Sequence, residues 1–500
     1  MSDKILFWLT TSLTNFGIAK FIKEKHECEI FAIADIVDRQ KSFYEKQQLV
    51  KFQKIWYYHD HILKTKKKPD FEYLVSVEQK YKINLWLVAS NERFFFDNDR
   101  FYKFSSDEIL SILEQECKFF ESIIDQVKPD FVIMGVYLYH YDHIFYEICK
   151  SKGIKVLILD STNVGYRWMI TNGTENFDLK NDDKNITKSL QELQGYLKGF
   201  NATKQVIDYK KTFQNSNWNY FKAALKFLLS KNTNVNTHYT YYGRTKFKVV
   251  LKMLIYTLKK RYREFFINRN FSRKTDVTYS FIYFPLHIEK ERALLISAPF
   301  YTNQLEVIRN VAKSLPIGYK LVVKEHPVMI YRGWRSTSVY KAIMELPNVI
   351  LLHPSVNSNE IIKKCSLVIT ISGSSGLEAA FYKKPTIVFA NTNYMILPSV
   401  HKIQSFQELP NAIRLSLKNQ PQISDLNKFV NLINKNSFAC DIQKLDLSIQ
   451  NYFWYGGFLA DVEIPVDKMN SLLEQNRGTF ELLANEFIKK LKISSDSHKQ

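Results

Sequence analysis

Short apolar runs alternate with helical patterns in two separate stretches of this sequence, and this alternation limits the possible fold more than any other feature. In the first third of the chain the runs have the length of strands and end at turn or polar residues; they cover 5–9, 30–34, 84–89, 131–135 and 156–159. Helical patterns lie between them, such as 109–127, whose apolar residues recur at steps of three and four. Strands separated by helices predict βαβ units and a parallel sheet.

The alternation returns in the second half of the chain. Strands are predicted at 294–297, 320–324, 349–352, 367–371 and 386–389. The chain has 500 residues, more than the roughly 250 to 300 at which a single core stops growing, so at least two domains are expected. We predict an α/β protein with two Rossmann-like domains facing a cleft, at 1–173 and 281–430, a helical basic insert at 174–280, and C-terminal helices at 431–500.

Composition excludes several classes of protein. Hydrophobic residues make up 45% of the chain, enough to bury a core and to exclude disorder as the main state. No window reaches the roughly 18 apolar residues of a membrane span. The stretch 5–19 lacks the basic flank and cleavage site of a secretory signal, and the five cysteines are scattered without a CxxC pair. These features predict a cytoplasmic protein without structural zinc.

Half of the positive charge lies in one segment. The net charge is +20, and residues 244–274 hold eleven Lys and Arg against Glu264 alone. Apolar residues interleave with the basic ones, which predicts an amphipathic cationic helix suited to an anionic membrane surface, at the inner face of the cytoplasmic membrane. The alternatives are a solvated basic face packed on a domain, and nucleic-acid binding. Nucleic acid is disfavoured because the sequence has no RRM, KH or zinc-finger signature.

A glycine- and serine-rich loop is the clearest ligand motif. It follows the predicted strand 367–371, and its notable residues are Ser372, Gly373, Ser374, Ser375, Gly376 and Glu378. Glycines allow a ligand to approach the backbone, while hydroxyls and the N–H groups of a helix start bind anions. The loop predicts a site for nucleotide phosphates, with Glu378 accepting hydrogen bonds from ribose. The alternative is a plain helix cap with structural glycines.

A second motif ends the predicted strand 320–324. The run Lys324-Glu325-His326-Pro327 places three ionisable groups at the strand end, where proline stops the strand. Lys324 and His326 would neutralise a leaving phosphate without a metal ion. The alternative is a solvated Lys-Glu ion pair.

Further candidates lie at the entry of the second predicted domain and after strand 349–352. His287, Glu289, Asn303 and Gln304 would line the cleft, and His353 would touch the base or ribose of a nucleotide. His287 and Glu289 are equally compatible with a place on the surface.

Together these residues resemble the capsule polysaccharide synthesis glycosyltransferases. The resemblance covers 284–410 and includes Lys-Glu-His-Pro, the later Ser-Gly-Ser-Ser-Gly-Leu-Glu-Ala, and Lys383-Lys-Pro-Thr-Ile-Val-Phe389. It implies a GT-B fold, related to that of bacterial Kdo transferases, in which His326-Pro327 and Ser374-Ser375 match the HP and SS motifs that contact a CMP-sugar. Polyglycerophosphate transferases and sugar-nucleotide epimerases carry similar loops.

An inverting transfer also needs a general base near the acceptor hydroxyl. Carboxylates and histidines that follow the predicted strands of the first domain are candidates: Asp35, Glu92, Asp97, Asp99, His140, Asp142, His143 and Asp160. His140, Asp142 and His143 follow strand 131–135 directly and are our preferred choice. Such residues are also common as helix caps.

The resemblance implies an inverting, metal-independent glycosyltransferase without a cofactor. It would move a sugar from a nucleotide-sugar donor, with a CMP-sugar favoured, to a surface polysaccharide or lipid-linked glycan. Lys324 would be catalytic and the loop 372–378 would bind the donor. The alternatives are a glycerophosphate-type transferase or a sugar-nucleotide epimerase on the same fold, and a non-catalytic membrane-peripheral scaffold of polysaccharide assembly.

Overall fold

The computed structural model describes most of the 500-residue chain. The described residues are 2–36, 38–65, 67–97, 101–173, 187–198, 217–230, 238–273, 279–455, 459 and 462–496. The candidate base Asp99 lies outside them.

The first sheet has seven strands. They are β1 (Asp3–Thr10), β2 (Cys28–Asp35), β3 (Lys54–Tyr57), β4 (Phe131–Met134), β5 (Lys155–Ser161), β6 (Arg167–Thr171) and β13 (Phe438–Ala439). Their order is β13-β6-β5-β4-β1-β2-β3. The run from β3 to β5 is parallel, whereas β6 and β13 are antiparallel to their neighbours.

Strand β1 shows why this sheet is buried on both faces. Its apolar residues form a continuous run, as is typical of a parallel sheet covered by helices on each side. Because successive side chains point to opposite faces, Phe7 and Leu9 pack into one hydrophobic cluster and Leu6 and Trp8 into the other. The parallel part of the sheet therefore has a helical layer on each face.

The second sheet has six strands, all parallel. They are β7 (Ser280–Pro285), β8 (Tyr319–Lys324), β9 (Val349–Leu352), β10 (Leu367–Thr370), β11 (Thr386–Val388) and β12 (Val400–Lys402). Their order is β12-β11-β10-β7-β8-β9, the doubly wound arrangement of a Rossmann fold. The predicted fold class, an α/β protein with two Rossmann-like domains, is confirmed.

The helices of four or more residues cover these two sheets and the segments between and after them. Their bounds are Thr14–Lys25, Asp38–Lys46, Tyr58–His61, Phe71–Tyr81, Leu85–Ser90, Arg93–Asp97, Ser106–Val127, His140–Ser151, Leu190–Lys198, Asn217–Leu229, Lys246–Asn270, Arg292–Leu295, Gln304–Lys313, Met329–Arg332, Thr337–Met344, Ser358–Lys364, Ser375–Phe381, Leu409–Lys418, Ile423–Asn436, Ile442–Phe453, Val466–Gln475 and Arg477–Asp496.

Two predicted strands are wrong. Residues 84–89 form the helix Leu85–Ser90, which begins because the Asn84 side chain accepts a hydrogen bond from the N–H of Leu87. Residues 294–297 overlap the helical turn Arg292–Leu295. Both runs are short and apolar, and periodicity alone does not separate such a strand from a buried helical segment.

The C-terminal helices return to the first domain. Strand β13 pairs with β6, and the helix Arg477–Asp496 packs on the helix Thr14–Lys25. At this contact the rings of Phe21 and Phe480 are stacked with centroids 6.0 Å apart. Gly17 permits the contact, because a Cβ there would lie 2.6 Å from the Cζ atom of Phe480.

The helix Lys246–Asn270 connects the two domains. Just before it, Tyr239 and Tyr242 are buried in a core cluster of the first domain; at its end, Ile267 and Phe271 are buried in the core of the second. Among the described residues, no helix combines the length and apolarity that crossing a bilayer requires. All five cysteines are buried and unpaired.

Candidate functional site

In each sheet the strand order changes direction at one position, called the switch point. Ligands of open α/β sheets bind at this position, outside the carboxyl ends of the strands. In the second sheet this switch point lies between β7 and β10. The loops after these strands meet, since the Thr370 hydroxyl is 3.1 Å from Nε2 of His287 and the N–H of Ser372 lies 3.4 Å from the same nitrogen. The predicted His287 and the glycine- and serine-rich loop are thus neighbours.

The loop 372–376 is held from several sides. The Ser372 hydroxyl donates to the carbonyl of Ala293 (2.8 Å), and the N–H of Gly373 donates to Oγ1 of Thr370 (3.1 Å). The Tyr394 hydroxyl donates to the carbonyl of Gly373 (2.5 Å). A Cβ at position 373 would lie 2.8 Å from Oγ1 of Thr370 and 3.0 Å from Cε1 of His287. Glycine is therefore required for the loop to lie this close to β7.

Ser374 is exposed, and its hydroxyl donates to Oε1 of Glu378 at 3.1 Å. Ser375 begins the following helix. Burial raises the pKa of Glu378, while Ser374 and Lys324 oppose that shift. The Glu378 carboxylate is therefore already partly engaged by the protein, and it faces the ammonium of Lys324.

Lys324 ends β8, the strand beside β7, and its Nζ donates to the Ser358 hydroxyl at 3.0 Å. Burial lowers the pKa of Lys324 to about 8, although Glu325 and Glu378 favour the charged form. Its side chain is buried. A hydrogen bond to a neutral hydroxyl offsets only part of the free-energy cost of burying an ammonium group. Lys324 is therefore suited to bind an anionic ligand group.

His326 is held as a neutral imidazole. Burial, with the nearby charges of Lys324 and Arg335, lowers the pKa of His326 to about 4. Its Nδ1 accepts a hydrogen bond from the N–H of Val328 at 3.2 Å. The hydrogen-bond pattern thus assigns the ring proton to Nε2, which makes His326 a neutral donor for a phosphate oxygen.

Glu325 has a different role from its two neighbours. Its carboxylate is buried and bonded to Nε of Arg335 (2.7 Å) and to the Tyr340 hydroxyl (2.7 Å). Arg335 also pairs with Glu289 (2.7 Å) and donates to the carbonyl of His287. The network positions the loop after β7. Arg335 was not singled out in the sequence, because no local pattern links it to this strand end.

Two of the predicted cleft residues, Gln304 and Asn303, and the predicted donor-binding residue His353 contact other parts of the protein. Gln304 clamps the backbone of His287, accepting from its N–H (2.8 Å) and donating to its carbonyl (3.2 Å). Asn303 caps the helix Gln304–Lys313. His353 contacts the end of the connecting helix, where Nε2 is 3.1 Å from Oδ1 of Asn268. Gln304 and Asn303 therefore act on the position of the loop and helix.

The first sheet has its own switch point between β1 and β4, and a cavity of about 550 Å³ lies there. It is lined by the segments after those strands, and by residues from the C-terminal helix Ile442–Phe453 and from 238–244 before the connecting helix. Its volume is within the roughly 300–1,000 Å³ range of ligand pockets. The two domains thus place one candidate site each at a switch point.

The preferred base candidate His140 is not suited to the role. Its Nδ1 lies 2.8 Å from Glu92 and its Nε2 3.0 Å from Glu116, and the side chain is fully buried. Although burial opposes the charge, Glu116 and Glu92 raise the pKa of His140 to about 10. An imidazolium held between two carboxylates has no free lone pair with which to take a proton, so this geometry favours a structural cation.

Asp142 and His143 are also engaged elsewhere. Asp142 caps the helix His140–Ser151, accepting from the N–H groups of Leu138 (2.7 Å) and Tyr139 (2.8 Å). This is the helix-cap alternative of the sequence analysis. His143 stacks on Tyr137 with ring centroids 4.9 Å apart and lines a smaller cleft formed by 87–92, 138–143 and 295–299.

Two other carboxylates line the large cavity. Asp35 accepts from Nε2 of His59 (2.9 Å) and from the Tyr141 hydroxyl (2.9 Å), so both of its oxygens are occupied. Asp446 accepts only from the Thr14 hydroxyl, at 3.3 Å, within the described part of the chain. Burial raises the pKa of Asp446 to about 6, so it is largely ionised and basic near neutral pH.

Asp446 was not a candidate in the sequence, because it lies in a C-terminal helix about 430 residues from Thr14. No group of three or more His, Cys, Asp or Glu side chains in the described ranges is arranged to hold a metal ion. The second-domain site therefore offers a cation, a neutral imidazole donor and loop hydroxyls. The first-domain cavity offers one carboxylate that remains open.

Comparisons with known proteins agree with the second-domain motifs. Residues 203–400 match a family model described as "Capsule polysaccharide biosynthesis protein". This segment contains both Lys324–Pro327 and the loop 372–378. A search of the curated proteins finds no match for this chain.

Several solved structures resemble the chain at low similarity. UDP-GlcNAc 2-epimerase from Methanocaldococcus jannaschii is 12% identical, with 86% of this chain and 99% of that chain covered and a TM-score of 0.27. KpsC from Thermosulfurimonas dismutans, a beta Kdo 2,7 transferase, is 14% identical, with 74% and 98% covered and a TM-score of 0.30. Likenesses of this size do not decide an activity. The match over residues 203–400 confirms the resemblance to capsule polysaccharide synthesis proteins that was inferred from the two motifs.

Proposed function

We propose that the protein is an inverting glycosyltransferase of capsule polysaccharide synthesis, without a metal or cofactor requirement, and that its donor is a nucleotide sugar, with a CMP-sugar favoured. The observation that carries this proposal is the convergence of Lys324, His326 and the loop 372–376 at one switch point, within the segment that matches the capsule family. A neutral imidazole N–H, an ammonium and serine hydroxyls suit the phosphate of a leaving nucleotide.

The transfer step uses groups from both sites. The acceptor oxygen forms a bond to the anomeric carbon as the bond from that carbon to the phosphate oxygen breaks, and the electron pair leaves with the nucleotide. Lys324 and His326 stabilise the charge that develops on the phosphate. Asp446 takes the proton of the acceptor hydroxyl, because its second oxygen has no partner in the described chain and its pKa is about 6. Closure of the cleft would bring the two sites together.

A panel of CMP-, UDP- and GDP-sugars tests the donor site by thermal denaturation. A ligand that binds only the folded protein raises its stability according to concentration and affinity. We expect one nucleotide class, the cytidine class, to stabilise the wild type and to lose its effect in His326→Ala. The matched control is His401→Ala, which removes an exposed histidine on β12. Absence of stabilisation by every donor would favour the scaffold alternative.

The two helices Asn217–Leu229 and Lys246–Asn270 support a place for the acceptor at an anionic membrane. Fifteen of the 26 exposed large hydrophobic residues of the described chain lie on these two helices, among them Trp218, Leu229, Phe247 and Leu258. The same helices carry ten Lys and Arg and only Glu264 as an acid. The Lys246 ammonium contacts the carbonyl of Leu228, so the helices meet at one end.

An apolar surface with a strong positive charge is complementary to a bilayer of anionic lipids on the cytoplasmic side, where each Lys or Arg near the surface adds about 1 kcal/mol. The alternative of a basic face packed on a domain is less suitable, because Leu254, Leu258 and Phe265 remain exposed. The helix is anchored through Arg263, which donates to the carbonyl of Trp334 (2.8 Å). A lipid-linked acceptor would thus be met at the membrane.

Vesicle co-sedimentation tests this surface. The full chain should bind vesicles with phosphatidylglycerol and not vesicles of phosphatidylcholine alone, and high salt should weaken the binding. The double change Leu254→Glu and Leu258→Glu should abolish it. Leu415→Glu, at an equally exposed leucine on the helix Leu409–Lys418, is the control. The membrane proposal would be contradicted if the wild type binds no vesicles but self-associates, and if the double change removes that self-association. This outcome would indicate that the surface binds a second copy of the chain.

A further inference from the structure

The first-domain cavity is lined by a cation for which the described part of the chain provides no counter-charge. Arg244 lines this cavity, and no carboxylate of the described chain lies within ion-pair distance of its guanidinium. Its Nε is shut off from solvent and has no hydrogen-bond partner among the described residues. The group packs instead against the rings of Phe101 and Tyr241, 5.1 and 5.4 Å from their centroids.

The backbone places Arg244 there. Gly243 precedes it with φ of +71°, a conformation that favours glycine, and a Cβ at this position would clash with the carbonyl of Phe101. The N–H of Arg244 donates to the carbonyl of Tyr241 (3.0 Å), and Thr245 then caps the connecting helix. This tight turn directs the last residue of the first-domain segment into the cavity.

The carboxylates that share the cavity do not compensate Arg244. Asp35 is bonded to His59 and Tyr141, and Asp142 is bonded to two backbone N–H groups. Asp446 remains open, but its only described partner is Thr14. Burial lowers the pKa of Arg244, and only Tyr241 opposes that shift. A partly desolvated guanidinium without a partner costs free energy that a bound anion would recover.

We propose that this cavity binds an anionic glycan end, and that Arg244 holds its carboxylate or phosphate while a sugar hydroxyl faces Asp446. The inference rests on the proposed function, because it names the chemical class of the acceptor. Arg244 is a specificity residue in this scheme: its planar fork of N–H donors matches the two oxygens of a carboxylate or phosphate. The cavity volume of about 550 Å³ leaves room for a sugar unit beside the anionic group.

Calorimetric titration of the full chain with three matched sugars tests the proposal. The probes are methyl β-D-glucuronide, which carries a carboxylate, glucose 6-phosphate, which carries a phosphate, and methyl β-D-glucoside, which is neutral. We expect at least one anionic probe to bind about ten- to a hundredfold more tightly than the neutral one, the range of a charged hydrogen bond. The stronger of the two anionic probes identifies the group.

The variant Arg244→Gln should bind all three probes equally, and Arg244→Lys should keep part of the preference for charge. Arg261→Gln removes the same charge from an exposed position of the connecting helix and should leave the preference unchanged. Circular dichroism of each variant establishes that it is folded. The proposal is overturned if the wild type binds the three probes with equal affinity or binds none of them. It is also overturned if Arg244→Gln keeps the preference of the wild type for anionic probes.

The two proposals fail separately. A chain that releases nucleotide from a donor but shows no Arg244-dependent preference for anionic sugars retains the transferase function and loses this inference. A chain that shows the preference but releases no nucleotide retains the anion site and loses the transferase function.

Discussion

Nε2 of His287 lies 3.1 Å from Oγ1 of Thr370, and this contact joins the loops that follow β7 and β10. Burial lowers the pKa of His287 to about 3, and the electrostatic interactions with His326 and Arg335 act in the same direction. The histidine is therefore neutral and accepts a hydrogen bond from the threonine hydroxyl. The contact thus ties the start of the loop 372–376 to the segment that follows β7.

Loss of the His326 imidazole should slow the transfer strongly and preserve the fold. Removal of a hydrogen-bond donor to a developing oxyanion costs about 10²–10³ in rate, so we expect a loss of this size in His326→Ala. The measurement is release of free nucleotide from the donor found in the panel. His401→Ala serves as the matched control, and wild-type turnover in His326→Ala would contradict the assigned role.

The pH dependence of kcat/KM should be bell-shaped. Asp446, with a pKa of about 6, must be ionised to take a proton, so the rate should rise as pH increases through 6. Lys324, with a pKa of about 8, must be protonated to stabilise the phosphate, so the rate should fall as pH increases through 8. Lys324→Arg should remove the alkaline limb, because a guanidinium remains charged. A flat profile in the wild type would show that neither group titrates in the reaction.

Glycine at 373 should be needed for the donor loop. In Gly373→Ala the new Cβ would meet Oγ1 of Thr370 at 2.8 Å and Cε1 of His287 at 3.0 Å, so the loop must move away from β7. Overpacking of this kind costs about 1–3 kcal/mol, and donor affinity should fall with it. Gly195→Ala is the control, since nothing lies within 4 Å of its added Cβ and alanine favours the helix Leu190–Lys198. Equal donor affinities in Gly373→Ala and Gly195→Ala would contradict the close approach of position 373 to Thr370 and His287.

Removal of one partner of the buried pair Glu325–Arg335 should lower the free energy of unfolding strongly. Arg335→Leu leaves Glu325 buried, and among the described residues only the Tyr340 hydroxyl and the N–H of His326 remain as its donors. Such a change costs about 3–5 kcal/mol. The double change with Glu325→Leu should recover much of this loss. Urea denaturation of the two single variants and the double variant measures the coupling. Additive losses would mean that the pair is not coupled.

His140 should stabilise the first domain without taking part in the reaction. Its folded-state pKa of about 10 is above the ordinary value of 6.5. The stabilisation is therefore fully present below pH about 6.5 and is lost as pH rises towards 10. His140→Gln should lower the midpoint of unfolding more at pH 6 than at pH 10 and should leave the acid limb of kcat/KM near 6. A shift of the acid limb of the kcat/KM profile in His140→Gln would contradict this and indicate that His140 acts as a base.

Much of the fold and part of the site follow from local patterns. The alternation of strands and helices predicts both domains, because burial of a parallel strand requires a continuous apolar run that is visible in the sequence. Lys324, His326 and the loop 372–376 are predictable for the same reason: they follow such runs directly. The same pattern predicts the wrong structure for residues 84–89, because the Asn84 side chain caps a helix there.

The acceptor side is less predictable because distant segments build it. Asp446 reaches the cavity only through the return of the C-terminal helices to the first domain, and Arg335 reaches Glu325 only through a turn after β8. Arg244 was visible in the sequence only as one of many basic residues. Its separate role follows from a positive φ at Gly243 and from the absence of a carboxylate partner in the described chain.

The central claim is that the chain transfers a sugar from a nucleotide, and phosphorus and proton NMR of the full chain with each CMP-, UDP- and GDP-sugar tests it most directly. With an anionic glycan acceptor present, we predict release of free nucleotide from one donor and a new glycosidic bond of inverted configuration. Both products should form about 10²–10³-fold more slowly with His326→Ala. Interconversion of the nucleotide sugar without release of nucleotide would contradict the claim and indicate an epimerase. Absence of any change with every donor would also contradict it and indicate a scaffold.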